Sequence, residues 1–273
     1  INKIEVWVTN TTSNYENCRN IVAFTDLGEG KSDWIFNDSE IPPSGYPGSQ
    51  YPDNASNTLL NELDYNSIRS LNSVTSYLTS QGYTSGKDFE KLQKARKLNP
   101  SEYVLNSKLG FITLNINLNA NQTLAVAYQY TVIGQDKVYQ VGEFSDQNIT
   151  DPNILVTKLL KSTTINTKMP MWNLMMKNVY NIRAYQVSQN DFIMNILYLG
   201  NDNGVATGYF ADAEGDLKGQ SLLHLMNLDN LNTQQNPIDG GDGLFDFING
   251  ATTNGGTINA STGRIYFPVL EPF

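Results

Sequence analysis

Three aspartates in the stretch NPIDGGDGLFDFI could bind a metal ion. Asp239, Asp242 and Asp246 are separated by glycines, which let a chain turn tightly around a cation. Carboxylate oxygens are the ligands that Ca²⁺ prefers, although the spacing differs from that of an EF-hand loop. The alternative is a set of Asp-Gly turns leading into a strand, with Asp246 on its solvent side. The sequence therefore gives one candidate Ca²⁺ site and predicts no other cofactor.

Residue patterns that mark catalytic sites are missing from the sequence. There is no G-x-S-x-G nucleophile motif, and the Gly-rich DGGDG is not followed by the Lys-Ser or Lys-Thr of a P-loop. The single histidine, His224, stands among leucines in LLHLM, where a core or helix-capping role is expected. With one histidine and one cysteine a His/Cys zinc site is excluded, and a catalytic triad would have only His224 as its base.

Paired carboxylates are the remaining catalytic possibility. Glycoside hydrolysis needs two acids about 5–10 Å apart in a cleft. The chain has 27 acidic residues, so many pairs are conceivable and spacing singles out none of them. We therefore predict that the chain is not an enzyme, and we name no catalytic residue.

Composition and charge narrow the class of partner. Only 16% of residues are charged, against about 25% in average soluble domains, and the net charge is −9. Such a chain is poorly suited to nucleic acid, whose phosphates require clustered Lys and Arg. The single cysteine, Cys18, excludes an internal disulfide, and no apolar run approaches the roughly 18 residues of a membrane helix. We expect a soluble segment that does not bind nucleic acid.

The first half of the chain is predicted to form strands around a helical insertion. IEVWVT alternates in polarity as a half-buried strand does, and NIVAFTDLGEG follows as a second strand. An apolar stripe between Leu60 and Leu78 predicts a helix that Gly82 ends, and a second helix is predicted over 88–98. Residues 109–144 predict three strands in an antiparallel meander, linked by hairpins at NAN and IGQD.

A stretch rich in Pro and Gly lies before the helical insertion. Residues 34–56 lack periodicity, and irregular loops of this length in compact domains tend to be functional. We therefore predict that its aromatic residues bind a partner protein: Trp34, Phe36, Tyr46 and Tyr51.

The second half mixes short helices with short strands. DPNILVTKLLKST fits either a strand or a helix, because its periodicity does not decide between them. PMWNLMMKNVYNI predicts a helix with Pro170 in its first turn, and LLHLMNLDNL predicts a shorter one. Strands are predicted in RAYQVSQ, DFIMNILYLG, GLFDFI and GRIYFPVL.

These elements predict an α+β fold that is mainly antiparallel β, with sandwich or jelly-roll-like sheets and several short helices. We expect two lobes. The first is a β-rich lobe over 1–145 with a helical insertion at about 57–98, and the second is an α+β lobe over 146–273.

Several long stretches, taken in order, carry a resemblance to a known family. They are KLQKARKLNPSEYVLNSKLGFITLN, LAVAYQYTV with KVYQVGEFS, PMWNLMMKNVYNIRAYQV, LLHLMNLDNLN, DGLFDFINGATT and GRIYFPVLEPF, together with the opening INKIEVWVTNTT and NIVAFTDLGE. In this order they resemble the SprA family, the very large outer-membrane proteins of the Bacteroidetes type IX secretion system, which also support gliding motility. The stretch GVATGYFADAEGDLKGQ departs from the family's pattern.

The resemblance implies a segment of a much longer protein that forms a barrel in the outer membrane and exports folded cargo. A chain that starts at Ile1 and stops within a strand-like run at Phe273 fits an excised segment. We expect a non-catalytic cap, rim or partner-docking module on the extracellular rather than the periplasmic face. Its expected partners are other type IX secretion subunits and secreted cargo proteins.

A module that binds carbohydrate or Ca²⁺ is the alternative. In this interpretation the chain is a β-sandwich of a surface protein, and Trp7, Trp34 and the many tyrosines supply aromatic faces for sugar rings.

Overall fold

The computed structural model describes residues 1–29, 58–134, 136–200, 204–210, 213–250 and 256–273. The four residues predicted to bind a partner, Trp34, Phe36, Tyr46 and Tyr51, lie outside this described part. The chain divides into two compact units, Ile1–Met175 (unit 1) and Met176–Phe273 (unit 2). Two units were expected, but the boundary follows Met175 instead of residue 145, because residues 155–161 form a strand of the sheet in unit 1.

Unit 1 consists mainly of strands. They are β1 (Lys3–Val8), β2 (Cys18–Phe24), β3 (Phe89–Lys97), β4 (Tyr103–Asn106), β5 (Phe111–Leu114), β6 (Leu124–Thr131), β7 (Val138–Val141) and β8 (Leu155–Lys161). Its helical elements are α1 (Thr58–Glu62), α2 (Tyr65–Arg69), α3 (Val74–Ser80) and the 3₁₀ turns Pro100–Glu102 and Pro170–Leu174.

Five strands of unit 1 close into a barrel. β1 pairs antiparallel with both β3 and β6, β3 pairs with β2, and β8 lies between β2 and β6. The β2–β8 pair is parallel, whereas the others are antiparallel, and β7 extends the sheet from β6. Closure leaves these five strands without an open sheet edge. The fold is thus mostly β with short helices, as predicted, but these strands form a closed barrel and not two stacked sheets.

The barrel interior is filled by one alternating set of apolar side chains. Every barrel strand contributes to it: Trp7, Ile21, Ala23, Leu92, Ala95, Ala125, Leu155 and Leu159. The alanines leave room for the indole of Trp7, which is buried. Because the outer faces of β2 and β8 are covered as well, both strands are buried on both faces over five consecutive residues and do not alternate between buried and exposed positions. This explains why the periodicity of DPNILVTKLLKST did not identify β8 as a strand.

The helical insertion covers the outer face of β2, β3 and β8. Its predicted apolar stripe is confirmed, since Leu63, Ile68, Val74 and Leu78 are buried in the cluster that also holds Phe24 and Val156. The single predicted helix is instead three short ones. Asp64 interrupts it and caps α2 by accepting a hydrogen bond from the Ser67 N–H (2.7 Å). Gly82, at φ 93°, ends α3 as predicted.

The predicted helix over 88–98 is wrong, because this segment forms β3. Its buried residues Phe89, Leu92 and Ala95 have helix-like spacing for two reasons: Phe89 faces the outer layer, and a β-bulge puts both Leu92 and Ala95 on the interior side. Leu92 pairs with Ile21 and Ala95 with Arg19, so β3 holds one extra residue between these pairs. Lys94 lies in the bulge at φ 48°, and its N–H donates to the Asn20 side chain (3.0 Å).

The predicted meander is correct at one hairpin and wrong at the other. β6 and β7 pair antiparallel, as the IGQD link predicted. β5 pairs with β4 and not with β6, because β6 is buried between β1 and β8 and has no free edge for it. The β4–β5 hairpin instead packs Tyr103, Ile112 and Leu114 over the outer face of β1 and β6.

Unit 2 has short strands and a small apolar core. Its elements are β9 (Val179–Asn181), β10 (Tyr198–Leu199), β11 (Ala206–Thr207), α4 (Leu222–Leu225), β12 (Ile258–Asn259), β13 (Arg264–Tyr266) and the 3₁₀ turns Gln189–Asp191 and Gly215–Leu217. β12, β13 and β9 form one sheet with β9 at its edge, and β10 pairs with β11. Within the described residues, no helix has the length and apolar character needed to cross a membrane.

Several predicted elements of unit 2 are shorter or different. The helix predicted in PMWNLMMKNVYNI is a 3₁₀ turn followed by β9, because Tyr180 pairs with Ile265 across the unit 2 sheet. GLFDFI is not a strand, although Phe245 and Phe247 pack against the core. RAYQVSQ forms no strand, and DFIMNILYLG contributes only β10. The short helix in LLHLMNLDNL and the strand in GRIYFPVL are confirmed.

A buried ion pair connects the helical insertion to the barrel. The Arg69 guanidinium donates two hydrogen bonds to the Glu143 carboxylate, each 2.5 Å long. Arg69 Nη1 also donates to the Ile154 carbonyl (2.8 Å), and Glu143 accepts the Val156 N–H (2.8 Å). Both side chains are largely buried, so each charge depends on the other for compensation.

We expect Arg69→Met to lower the free energy of unfolding by about 3–5 kcal/mol, because it leaves the Glu143 carboxylate buried without its cation. The double variant Arg69→Met/Glu143→Leu should lose much less, since it removes both charges. Urea denaturation of the two single variants and the double variant measures this coupling. Arg96→Met, which breaks the more exposed Arg96–Glu102 pair, is the control and should cost about 1 kcal/mol or less. Additive losses at 69 and 143 would contradict the prediction.

Candidate functional site

Two buried aspartates in unit 2 bind backbone N–H groups of each other's loops. The Asp229 carboxylate accepts hydrogen bonds from the N–H groups of Asp242 (2.8 Å) and Gly243 (3.0 Å). The Asp246 carboxylate accepts them from Asn230 (2.7 Å) and Leu231 (3.0 Å). We call this reciprocal arrangement the aspartate lock. It uses the oxygens of Asp246 that a metal ion would need.

The predicted Ca²⁺ ligands are therefore not gathered around a common point. Asp242 accepts the Leu244 N–H (3.0 Å) in a local turn, and Asp239 is exposed. Gly241, at φ 73°, lies so close to Asp229 that a Cβ there would come 2.4 Å from the carboxylate oxygen. The glycines of DGGDG thus let the backbone wrap around an internal carboxylate. In the described part of the chain, no group of three or more His, Cys, Asp or Glu side chains is placed to hold a metal ion.

His224 contributes to the same region as a structural residue. Its backbone N–H donates to the hydroxyl of Ser221 (3.1 Å), which caps α4. Its Nδ1 lies 2.5 Å from the Asp229 carbonyl oxygen, so the ring carries its proton on Nδ1 and donates it there. This contact joins α4 to the loop that carries Asp229, while the cap of α4 comes from the Ser221 hydroxyl and not from the His224 ring.

The densest buried group of charges lies in unit 1, on the outer face of the barrel. Lys158 forms an ion pair with Glu29 and donates a hydrogen bond to the Thr25 carbonyl (2.7 Å). Asp26 is fully buried beside them and accepts the Gly28 N–H (2.6 Å). Sequence analysis did not identify this cluster, because DLGEG and Lys158 are far apart in the chain and only the parallel β2–β8 pair brings them together.

Burial and charge determine which carboxyl group of this cluster keeps a proton. Burial, and then the neighbouring Glu29 carboxylate, raise the pKa of Asp26 to about 8. Burial also raises the pKa of Glu29, but the charge of Lys158 and its hydrogen bond outweigh this and lower it. Asp26 is therefore protonated at neutral pH, while Glu29 and Lys158 carry opposite charges. Because these side chains are closed to solvent, the cluster is suited to holding strands together and not to receiving a substrate.

The exposed apolar surface is concentrated in unit 2. Although it is the smaller unit, it carries most of the large apolar side chains that the described residues expose to solvent. Ile193 (81% exposed), Tyr185 (70%) and Leu199 (64%) are examples. Exposed apolar side chains that form a contiguous patch typically mark a site of protein–protein contact.

An apolar groove of about 290 Å³ lies within unit 2. Its lining comes from β9, β13 with the residue after it, the segment before β10 and the last described residue: Tyr180, Met194, Ile196, Leu197, Ile265, Phe267 and Phe273. Asn195 is the one polar residue in that lining. Among the described residues β9 pairs with β13 on one side only, so an extended chain could add to its other edge.

The C-terminal segment of the chain lies against this groove. The Phe273 ring makes edge-to-face contacts with Tyr180 and Phe267, at centroid distances of 5.5 and 5.3 Å, yet it is 73% exposed. Two residues earlier, Glu271 forms an ion pair with Lys177. The sequence drew attention to GRIYFPVLEPF as an apolar end, but it did not indicate that Phe273 would fold back onto Tyr180, which is far away in sequence.

Of the aromatic residues considered for sugar binding, Trp7 is buried inside the barrel, where it has no face to offer a ligand. Trp34 lies outside the described residues. Comparison of the chain with protein-family models and with curated proteins found no match.

The buried Asp26 predicts a loss of stability as pH rises. Its pKa is about 8 in the folded protein and near 3.8 when exposed, so the folded state holds a proton that the unfolded state releases above pH 4. This contribution is fully present below pH 4 and is lost as the pH rises towards 8. We expect Asp26→Asn to give a higher melting temperature than the parent at pH 8 and a flatter dependence between pH 5 and 8. The exposed Asp136→Asn should change neither, and an unchanged pH profile in Asp26→Asn would refute the assignment.

The aspartate lock predicts a stability loss that Ca²⁺ does not influence. Asp246→Asn keeps the shape of the side chain but weakens two charge-assisted hydrogen bonds, so we expect about 1–3 kcal/mol less stability. Melting of the parent with millimolar Ca²⁺ and then with a chelator should give the same temperature. A Ca²⁺-dependent rise that disappears in Asp246→Asn would show instead that these residues bind the metal.

Proposed function

We propose that this chain is a non-catalytic docking module of an outer-membrane protein-export channel of the SprA type, in a type IX secretion system. It would act as a cap or rim at the extracellular mouth of the channel and offer a surface to other secretion subunits and to secreted cargo. This function would support protein export and, in gliding bacteria, motility. The sequence resemblance supports the export-channel part of the proposal, and the exposed apolar side chains of unit 2 support its docking part.

Unit 2 has the properties of a surface that is covered in its working state. Side chains such as Ile193 and Leu199 gain nothing by facing water, and their burial against a partner contributes roughly 25 cal/mol per Å² of apolar area. Unit 1 differs, since its barrel has closed its sheet and covered its apolar faces. We infer that unit 1 is a rigid support and that unit 2 makes the contacts.

The charged residues support the non-catalytic part of the proposal. The ion pairs Arg69–Glu143 and Lys158–Glu29 are enclosed by packed side chains. Asp229 and Asp246 bind backbone N–H groups. Each of these groups therefore has a structural role that accounts for its burial.

Substitutions on the unit 2 surface test the docking role. In the full-length parent protein, we expect Ile193→Ser together with Leu199→Ser to weaken binding to its secretion partners by about tenfold, through lost apolar contact. Cargo released into the medium and co-purified secretion subunits are the measurements. Ile133→Ser, at a fully exposed site of unit 1, is the matched control and should have no effect. Normal cargo release after removal of the whole segment would refute the proposal.

A further inference from the structure

One wall of the unit 2 groove is formed by Phe273, whose ring lies against the rings of Tyr180 and Phe267. Glu271 pairs with Lys177, and Phe273 touches Tyr180 and Phe267, so an acid and an aromatic residue two positions later form the two contacts. The residue between them, Pro272, favours an extended backbone for Glu271 before it. These contacts show that the groove and its rim can bind a carboxylate and an aromatic ring.

These contacts are weak enough to be exchanged. The Glu271 carboxylate is 65% exposed, and surface ion pairs contribute little to stability. The Phe273 ring rests against two other rings by its edge and remains mostly in solvent, so little apolar area holds it. Leu197 lines the groove as well, and it is 58% exposed. The occupied site therefore retains apolar surface that a longer ligand could cover.

We propose that this groove is a peptide-binding site for an extended partner segment that carries a carboxylate two residues before an aromatic ring, and that Glu271–Phe273 covers it until such a segment arrives. Lys177 recognises the carboxylate, and Tyr180 with Phe267 recognises the ring. The open edge of β9 lies alongside and can pair with the backbone of the segment. This inference rests on the proposed docking role and adds the chemistry of the partner to it.

A peptide with the chain's own sequence tests the site. The probe is acetyl-Val-Leu-Glu-Pro-Phe-amide, titrated into the whole chain with labelled methyl groups and followed by NMR. Methyl signals of Met194, Ile196 and Ile265 should shift, whereas Ile21 in the barrel interior should not. Peptides with Gln in place of Glu, or with Ala in place of Phe, should bind more weakly.

The tail variants show whether Glu271–Phe273 competes with the peptide. We expect Phe273→Ala to bind the peptide about tenfold more tightly than the parent chain, because the internal ring no longer occupies the site. Glu271→Gln, which removes only the ion pair, should move affinity in the same direction by a smaller factor. Leu270→Ala is the matched control, since Leu270 is exposed and lies outside the groove lining, and it should behave as the parent does.

Three results would overturn the inference. The first is that the peptide shifts no methyl signal in the parent chain or in either tail variant. The second is that the parent and Phe273→Ala bind the peptide with equal affinity. The third is dimerisation that increases with concentration, which would show that Glu271–Phe273 exchanges between two copies of the chain. Failure here is distinguishable from failure of the docking role. The unit 2 surface variants could lose cargo release while the peptide does not bind. That result would support the docking role and contradict the proposed peptide ligand.

Discussion

The architecture of unit 1 depends on the parallel pairing of β2 with β8. Without it, β1, β3 and β6 would be members of an open sheet, and β2 would have a free edge. With it, the five strands close, and each presents one face to a common interior and the other to a covering layer. The same pairing places Lys158 beside Asp26 and Glu29. Closure and buried charge are therefore consequences of one contact between distant parts of the chain.

Local sequence patterns predicted individual strands and the buried face of the helical insertion. The closed barrel depends on pairing between distant strands, which local patterns do not specify. Alternation identified β1 and β6, and the apolar stripe of the insertion was correct because a buried helical face has to repeat at helical spacing. The 88–98 segment was misassigned because burial of both faces of β3 and a bulge at Lys94 together gave a strand the spacing of a helix. The barrel could not be predicted, since nothing local specifies that β8 joins β2 in parallel.

The acidic stretch shows a second limit of sequence interpretation. Asp and Gly in DGGDGLFD suit a Ca²⁺ loop and a backbone-binding carboxylate equally well, because both need oxygen atoms and tight turns. The decisive partner is Asp229, which lies outside the motif and fills the concave backbone with its own carboxylate. An internal anion at the Gly-rich turn serves here as a fixed structural ligand, and Asp246 completes the lock from the opposite loop.

The two units differ in how much of their apolar surface is covered. In unit 1, closure leaves the five barrel strands without an open edge, and the helical layer covers part of their outer face. Unit 2 has strands of two or three residues and a small core, and it exposes apolar side chains that such short strands cannot cover. Its own tail covers only part of its groove, through an exposed ion pair and ring edges. A surface left incomplete in this way gains stability from any segment that fits it, and this gain is the physical basis for binding at this site.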